Sequence, residues 1–217
     1  MSHMIRFTAL LALGLSSAPL LAAGDIEAGK ARAASCAACH GADGNAARAG
    51  EFPSLAGQGA KYLAKQLHDY KSQKRKNPIM LGMAMPLSDS DIDNLAAYYA
   101  SLPLETGTAQ AELAAAGERL FRGGNVETGV AACAGCHGPA GAGIEAAGFP
   151  RLAGQNANYI ELQLRAFRAA GRGDIGAPAY RRNDADGDAP GMMQGVAGKM
   201  SDAEIQAVAS YLAGLSE

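Results

Sequence analysis

The sequence predicts an all-α protein made of two copies of one helical unit. Apolar residues recur at the i, i+3, i+4 and i+7 spacing of a helix that buries one face, most clearly over residues 87–102 and 200–215. No long alternating pattern typical of β-strands is visible. Residues 52–58 (FPSLAGQ) return as residues 149–155 (FPRLAGQ), so the unit is duplicated along the chain.

The amino terminus has the layout of a secretory signal peptide. Arg6 is followed by an uncharged run from Phe7 to Leu21 and then by the small residues Ala22 and Ala23. An uncleaved membrane anchor is the alternative, but the run is short against the roughly 20 residues that a spanning helix needs. We therefore expect an exported, soluble protein. The expected division is a signal peptide over 1–22 and two domains over 23–104 and 105–217.

The overall charge argues against nucleic acid as a partner. The chain has 19 basic and 21 acidic residues, whereas nucleic-acid binding usually leaves a basic excess. Removal of residues 1–22 takes away one arginine and no acid, which leaves 18 − 21 = −3.

All four cysteines lie in two Cys-x-x-Cys-His motifs. The motifs comprise Cys36, Cys39 and His40, and Cys133, Cys136 and His137. This spacing attaches c-type haem, because the two thiols reach the two vinyl groups of one porphyrin edge and the next residue brings a histidine to the iron. Zinc is an alternative, but the motifs are too far apart along the chain for the usual spacing of one zinc module. Thioredoxin-like chemistry would need a strand–helix alternation around the motif, which is not visible.

The repeat also indicates a second axial ligand in each unit. The candidate methionines are Met80, Met83 and Met85 in the first half and Met192, Met193 and Met200 in the second. The repeat resumes near the carboxyl end of each unit in a register that aligns Ser88 with Ser201, and only Met80 and Met193 are then methionine in both copies. We expect His40 with Met80, and His137 with Met193, as axial pairs. The other methionines are expected to fill the core.

The remaining elements follow in matched pairs. Helices are predicted over about 25–34, 59–74 and 87–102, and again over 111–122, 156–171 and 200–215, with a linker over 103–110. Ser88 and Ser201 stand at helix starts, Ser201 with the spacing of a capping box to Glu204. Pro53 follows His40 at the same distance along the chain as Pro150 follows His137, so the two proline carbonyls are candidates to accept the ring N–H.

A cationic run precedes the first candidate methionine. The stretch KSQKRKNP contains Lys71, Lys74, Arg75 and Lys76. Such a run is usually a solvated face; the alternative is a patch that steers an acidic redox partner toward the first haem. The corresponding stretch of the second half, GRGDIGAPAYRRNDADGD, mixes both signs.

These motifs resemble the dihaem cytochrome c4 family over the chain from about Gly24 to Leu215. The resemblance implies two class I cytochrome c domains related by a pseudo-two-fold axis, with haem propionates facing each other across the interface. It implies two covalently attached haem c groups, held by the four cysteines and coordinated by the two histidine–methionine pairs. The second half departs from the first in its histidine-to-methionine loop, because the stretch from His137 to Met193 is longer than the stretch from His40 to Met80.

The resemblance further implies a periplasmic electron carrier rather than an enzyme. Its expected donor is a quinol-oxidising complex or a small cytochrome, its acceptor is a terminal oxidase, and it associates loosely with the membrane. One alternative is a dihaem electron-transfer subunit of a periplasmic dehydrogenase of the flavocytochrome type. A haem peroxidase or gas sensor is another, but it requires that Met80 or Met193 leave its iron open.

Overall fold

The computed structural model describes residues 24–46, 50–185 and 189–216. Within these ranges the chain forms ten α-helices and two three-residue 3-10 helices, and the extended pairings are two isolated bridges. The prediction of an all-α fold is confirmed. The predicted signal peptide, residues 1–22, lies outside the described residues. Among the helices of the described ranges, none has both the length and the apolar character to cross a membrane.

The first unit contains five α-helices. They are α1 (Ile26–Arg32), α2 (Ala37–His40), α3 (Ala60–Lys71), α4 (Pro78–Ala84) and α5 (Asp89–Ser101). α1 packs on α5, and α3 packs on both α5 and α4. The three predicted helices are present with shorter bounds. The sequence analysis did not predict α2 and α4, because a periodic pattern needs more than the one or two turns that they contain.

The second unit repeats this order. Its helices are α6 (Ala111–Gly123), α7 (Ala134–His137), α8 (Ala157–Arg172), α9 (Met192–Ala197) and α10 (Asp202–Gly214). α6 packs on α10, and α8 packs on both α10 and α9. The contact pattern therefore matches that of the first unit helix by helix.

The last helix of each unit begins at a capping box. Ser88 accepts from the amide of Asp91, and the Asp91 carboxylate accepts from the Ser88 amide. Ser201 and Glu204 make the same reciprocal pair at the start of α10. Each pair satisfies amides that the first turn of a helix leaves without an intrahelical partner.

Each unit has its own apolar core. The predicted apolar faces of α5 and α10 are buried in these cores: Ile92, Leu95, Ala96 and Tyr99, and Ile205, Val208, Ala209 and Leu212. Leu63 of α3 joins the first core, and Ile160 and Phe167 of α8 join the second. Burial of these side chains provides the main favourable free energy for packing the helices around each motif.

The two units meet through the glutamines of the repeated FPxLAGQ segments. Gln58 Nε2 donates to the carbonyl of Arg151 and its Oε1 accepts from the Arg151 amide, at 2.9 and 2.8 Å. Gln155 makes the same two bonds to the backbone of Ser54, at 2.8 and 2.9 Å. Residues 54 and 151 occupy the same place in the repeat. This exchange is the pattern of a two-fold interface and supports the expected pseudo-two-fold relation.

Candidate haem centres

Each Cys-x-x-Cys-His motif forms a one-turn helix. In α2 the amides of Cys39 and His40 both donate to the carbonyl of Cys36, at 3.2 and 3.0 Å, and the corresponding distances in α7 are 3.2 and 2.9 Å. None of the chain's four cysteines forms a disulfide. Two thiols and an imidazole are thus held on one short rigid segment in each unit. The free thiol sulfurs occupy the places of the thioether sulfurs in an attached haem c.

A glycine ends each of these turns. Gly41 has φ +82° and Gly138 has φ +80°, a backbone region that other residues rarely adopt. A Cβ on Gly41 would lie 2.6 Å from the carbonyl oxygen of Asn45. Glycine at this position lets the chain leave the motif without displacing the histidine before it.

The two histidines are fixed as the sequence analysis predicted. His40 Nδ1 lies 2.9 Å from the carbonyl oxygen of Pro53, and His137 Nδ1 lies 2.9 Å from that of Pro150. A carbonyl can only accept, so Nδ1 carries the proton in both rings and Nε2 keeps its lone pair. That is the tautomer needed for coordination of a metal through Nε2.

Burial keeps both imidazoles neutral. Each histidine is 6% exposed. Burial lowers the pKa of His40 and of His137, and the hydrogen bonds to the proline carbonyls oppose this only in part. A neutral imidazole is the form that binds a metal.

The candidate methionines lie in short helices that the sequence analysis did not predict. Met80 is in α4 and its amide donates to Asn77 Oδ1 at 3.0 Å. Met193 is in α9 and its amide donates to Asp184 Oδ2 at 2.6 Å. Both side chains are half-buried. A side-chain oxygen therefore anchors the backbone at each candidate ligand.

The other methionines divide between core and surface. Met200 is 1% exposed within the second core, as expected for a filler residue. Met85 and Met192 are 56% and 62% exposed, so the prediction that they fill the core is wrong. Met83 is half-buried.

The structure brings Cys133 and Met193 against the same apolar cluster. Both pack on the core that contains Phe121 and Leu212. Burial raises the pKa of the Cys133 thiol to about 11, so this thiol is neutral at physiological pH. In the first unit Cys36 packs on the core.

The donor set of each unit fits a c-type haem. It consists of two thiols without disulfide partners, an imidazole whose Nε2 keeps its lone pair, and a thioether on a capped helix. The described residues contain no group of three or more histidine, cysteine, aspartate or glutamate side chains that could hold a metal ion.

Two buried arginines between the units were missed by the sequence analysis. Arg75 and Arg181 are each 7% exposed. The prediction that Arg75 belongs to an exposed cationic run is wrong, although its neighbours Lys74 and Lys76 are exposed. The repeat gave no signal, because neither of its two registers aligns Arg75 with Arg181.

Both units match a known protein family. The cytochrome c family model matches residues 26–103 and again residues 114–216. The chain is 48% identical over 206 residues to cytochrome c4 of Pseudomonas aeruginosa, a match that covers 95% of this chain and 96% of the relative. It is also 43% identical over 188 residues to a thiosulfate dehydrogenase electron acceptor of Thiomonas intermedia, with 83% and 78% covered.

A solved structure extends the similarity to the whole fold. Reduced recombinant cytochrome c4 from Pseudomonas stutzeri superposes with a TM-score of 0.80 at 46% sequence identity. The match covers 89% of this chain and 100% of that structure. Both units, and their placement relative to each other, are therefore shared with a known protein.

Proposed function

This chain belongs to the cytochrome c4 family, it is an electron-transfer protein with two covalently attached haem c groups, and we propose which residues hold each group. Cys36 and Cys39 attach the first haem, and His40 and Met80 are its axial ligands. For the second haem the attachment residues are Cys133 and Cys136, and the axial ligands are His137 and Met193. The corresponding domains are residues 23–104 and 105–217, after a signal peptide at 1–22.

The single observation that carries this proposal is the histidine–proline hydrogen bond, present at 2.9 Å in both units. It fixes the protonated nitrogen and the ring orientation, so Nε2 is the donor atom.

The protein residues determine what the bound iron can do. Each haem, when bound, supplies one reversible single-electron step. With Met80 and Met193 as second ligands, neither haem would keep an open position for peroxide or a gas, and methionine ligation would favour the reduced state. Cys36 and Cys133 pack against the apolar cores, and an apolar environment raises the potential of a haem held there. This chain therefore passes electrons and binds no substrate.

We propose a periplasmic location and a respiratory role. The protein accepts electrons from a quinol-oxidising complex or a small cytochrome and delivers them to a terminal oxidase, in loose association with the membrane. The export signal in the sequence and the family resemblance support this role.

A second candidate partner is a periplasmic dehydrogenase. The relative from Thiomonas intermedia is named an electron acceptor of thiosulfate dehydrogenase. This name favours a thiosulfate dehydrogenase over a flavoprotein as the electron donor. Stopped-flow reduction by a thiosulfate dehydrogenase with thiosulfate, compared with reduction by a quinol-oxidising complex, separates the two donors. The physiological donor gives the faster second-order rate.

The axial assignment is tested by the far-red sulfur-to-iron absorption band of the oxidised holoprotein. We expect two equivalents per chain, one lost in Met80→Ala and the other in Met193→Ala. Met85→Ala and Met192→Ala are matched controls on exposed methionines and should keep both equivalents. Retention of two equivalents in either ligand variant would overturn the assignment for that unit.

A further inference from the structure

Arg75 and Arg181 cross the interface in opposite directions. Arg75, of the first unit, donates through Nη2 to Tyr159 Oη at 2.9 Å and to Gln163 Oε1 at 2.8 Å in the second. Arg181, of the second unit, donates through Nη2 to the hydroxyl of Tyr62 and the side chain of Gln66 in the first, at 3.1 and 3.0 Å. Tyr62 and Tyr159 are repeat partners, as are Gln66 and Gln163, so the two sets of contacts are equivalent.

Each arginine is also held within its own unit. The Arg75 guanidinium lies over the ring of Tyr70 at 4.7 Å, and that of Arg181 lies over Phe167 at 4.4 Å. Tyr70 and Phe167 are again repeat partners. We call Arg75 and Arg181 the crossed arginine pair, because each is fixed on an aromatic ring of one unit and bonded to polar side chains of the other.

The segment that follows each arginine anchors a candidate axial methionine. Asn77, two positions after Arg75, accepts from the Met80 amide. Asp184, three positions after Arg181, accepts from the amides of Met193 and Gln194. In both units a residue two or three positions after the crossing arginine therefore accepts from the backbone of the methionine-bearing helix.

The second unit has an additional tie across the interface. Asn183 Nδ2 donates to Gln66 Oε1 at 2.9 Å and to Asp69 Oδ2 at 2.6 Å. Lys65 Nζ donates to the Asn183 carbonyl at 2.7 Å. The residue just before Asp184 is thus fixed on α3 of the first unit.

We infer that the crossed arginine pair consists of positioning residues, each of which fixes its own unit's axial methionine through contacts with the opposite unit. The inference rests on the proposed ligation by Met80 and Met193. Its consequence is that the coordination of each haem depends on correct docking of the other unit. Loss of either guanidinium removes the donor to the tyrosine hydroxyl of the opposite unit, Tyr159 for Arg75 and Tyr62 for Arg181, and releases the segment that carries the cap. The oxygens of Gln66 and Gln163 accept from both arginines and would keep a donor from the other one.

The experiment measures the far-red band of one haem at a time. In Met193→Ala protein the remaining band belongs to Met80, and in Met80→Ala protein it belongs to Met193. We expect Arg75→Gln to reduce the Met80 band in the first background, and Arg181→Gln to reduce the Met193 band in the second. When each variant is heated, its far-red band should be lost at temperatures well below global unfolding. Global unfolding is followed by far-ultraviolet circular dichroism. Lys74→Gln and Arg182→Gln, at exposed neighbouring positions, are the matched controls and should change neither band.

A double-mutant cycle tests the route through the cap. Asn77→Ala should mimic Arg75→Gln, and the double variant should lose no more of the Met80 band than the larger single variant, because both changes act on one segment. Asp184→Ala with Arg181→Gln provides the same test for Met193. The cap variants change a part-buried or exposed bond and keep the test available if an arginine variant does not fold.

Three outcomes would overturn the inference. The arginine variants could leave the band of their own unit unchanged, or their losses could simply add to those of the cap variants. The band could also disappear only together with the circular dichroism signal, which would make the arginines general interface residues. If Met193→Ala instead keeps both equivalents, the ligand assignment itself fails, and this result is distinguishable because no arginine variant is involved.

Discussion

The two units share their motif chemistry but anchor the methionine-bearing helix differently. In the first unit the N-cap residue Asn77, directly before α4, accepts from the Met80 amide. In the second unit Gly191 precedes α9 and offers no side-chain cap, and Asp184 supplies the acceptor from farther back in the loop. The longer loop changes the source of the bond but preserves the bond. The comparison indicates that a satisfied amide at the methionine is the constrained feature, and loop length is not.

Substitution of the glycine after each motif should give the largest difference in stability between the two units. The positive φ of Gly41 and Gly138 costs any other residue about 1–3 kcal/mol. A Cβ on Gly41 would also lie 2.6 Å from the Asn45 carbonyl, whereas at Gly138 the nearest atom is the Gly143 carbonyl oxygen at 3.8 Å. We expect Gly41→Ala to lower the urea unfolding midpoint of the holoprotein more than Gly138→Ala. Equal shifts would mean that the backbone strain alone sets the cost.

The next largest difference in stability is expected between substitutions of the two interface glutamines. Gln155→Ala removes both partners of the Ser54 backbone, and Ser54 is 3% exposed. A buried group left without a partner costs about 1–3 kcal/mol. Gln58→Ala affects the half-buried backbone of Arg151, where water can substitute. We expect the larger loss of unfolding free energy for Gln155→Ala, with exposed Gln206→Ala as control; the reverse order would contradict the burial argument.

Acid should weaken the two capping boxes. The Ser88 backbone and side-chain hydrogen bonds lower the pKa of Asp91. Burial raises the pKa of Glu204, but hydrogen bonds from Ser201 and Asn125 outweigh it and the net shift is downward. A pKa lowered by folding contributes stability above the ordinary carboxyl pKa of about 4, and this stability is lost as the pH falls through the folded value. The midpoint temperature of thermal unfolding should therefore decrease as the pH is lowered below about 4.

Removal of either carboxylate tests whether the capping boxes cause the acid destabilisation. Asp91→Asn and Glu204→Gln should each be less stable than the wild type near neutral pH and should lose less on acidification. The exposed Asp93 of α5 provides a control as Asp93→Asn. If acid lowers the thermal unfolding midpoint of all three variants by as much as that of the wild type, other carboxylates cause the loss of stability.

The smallest expected effect concerns partner docking. Six of the seven lysines lie between residues 30 and 76, and the seventh is Lys199. Exposed cations steer an acidic partner, and salt screens the effect. We expect Lys74→Gln with Lys76→Gln to slow electron transfer with an acidic redox partner a few-fold at low ionic strength, and Lys199→Gln to change it less. Stopped-flow rates that are equal at low salt would place the docking surface elsewhere.

Sequence reasoning succeeded where the signal was local or repeated. The motif cysteines, the proline carbonyl that follows each histidine, and the longer helices that end each unit all follow from spacing along the chain. The α4 and α9 helices are only about two turns long, too short for a periodic pattern. Their caps rather than their periodicity place them, and Asp184 lies too far from α9 to be recognised as a cap.

Contacts between the units were beyond local reasoning. Arg75 was assigned to a charged surface because its neighbours in sequence are lysines, yet its partners Tyr159 and Gln163 belong to the opposite unit. Which member of a cationic run turns inward depends on where the other unit docks. The glutamines of the FPxLAGQ segments were visible as a repeat, but their bonds to the opposite copy required the assembled fold.

The reciprocal bonds of Gln58 and Gln155 have a consequence for how such a chain can arise. Each glutamine forms hydrogen bonds with the backbone of the other copy. A single unfused unit would therefore carry both the glutamine and the backbone that it binds, and two such units could form a symmetric dimer. A covalent linker between two such units turns a bimolecular association into an intramolecular one, with a high effective concentration. Once fused, the copies no longer need to be identical. The two copies can then differ in length, as the longer stretch between His137 and Met193 does from that between His40 and Met80.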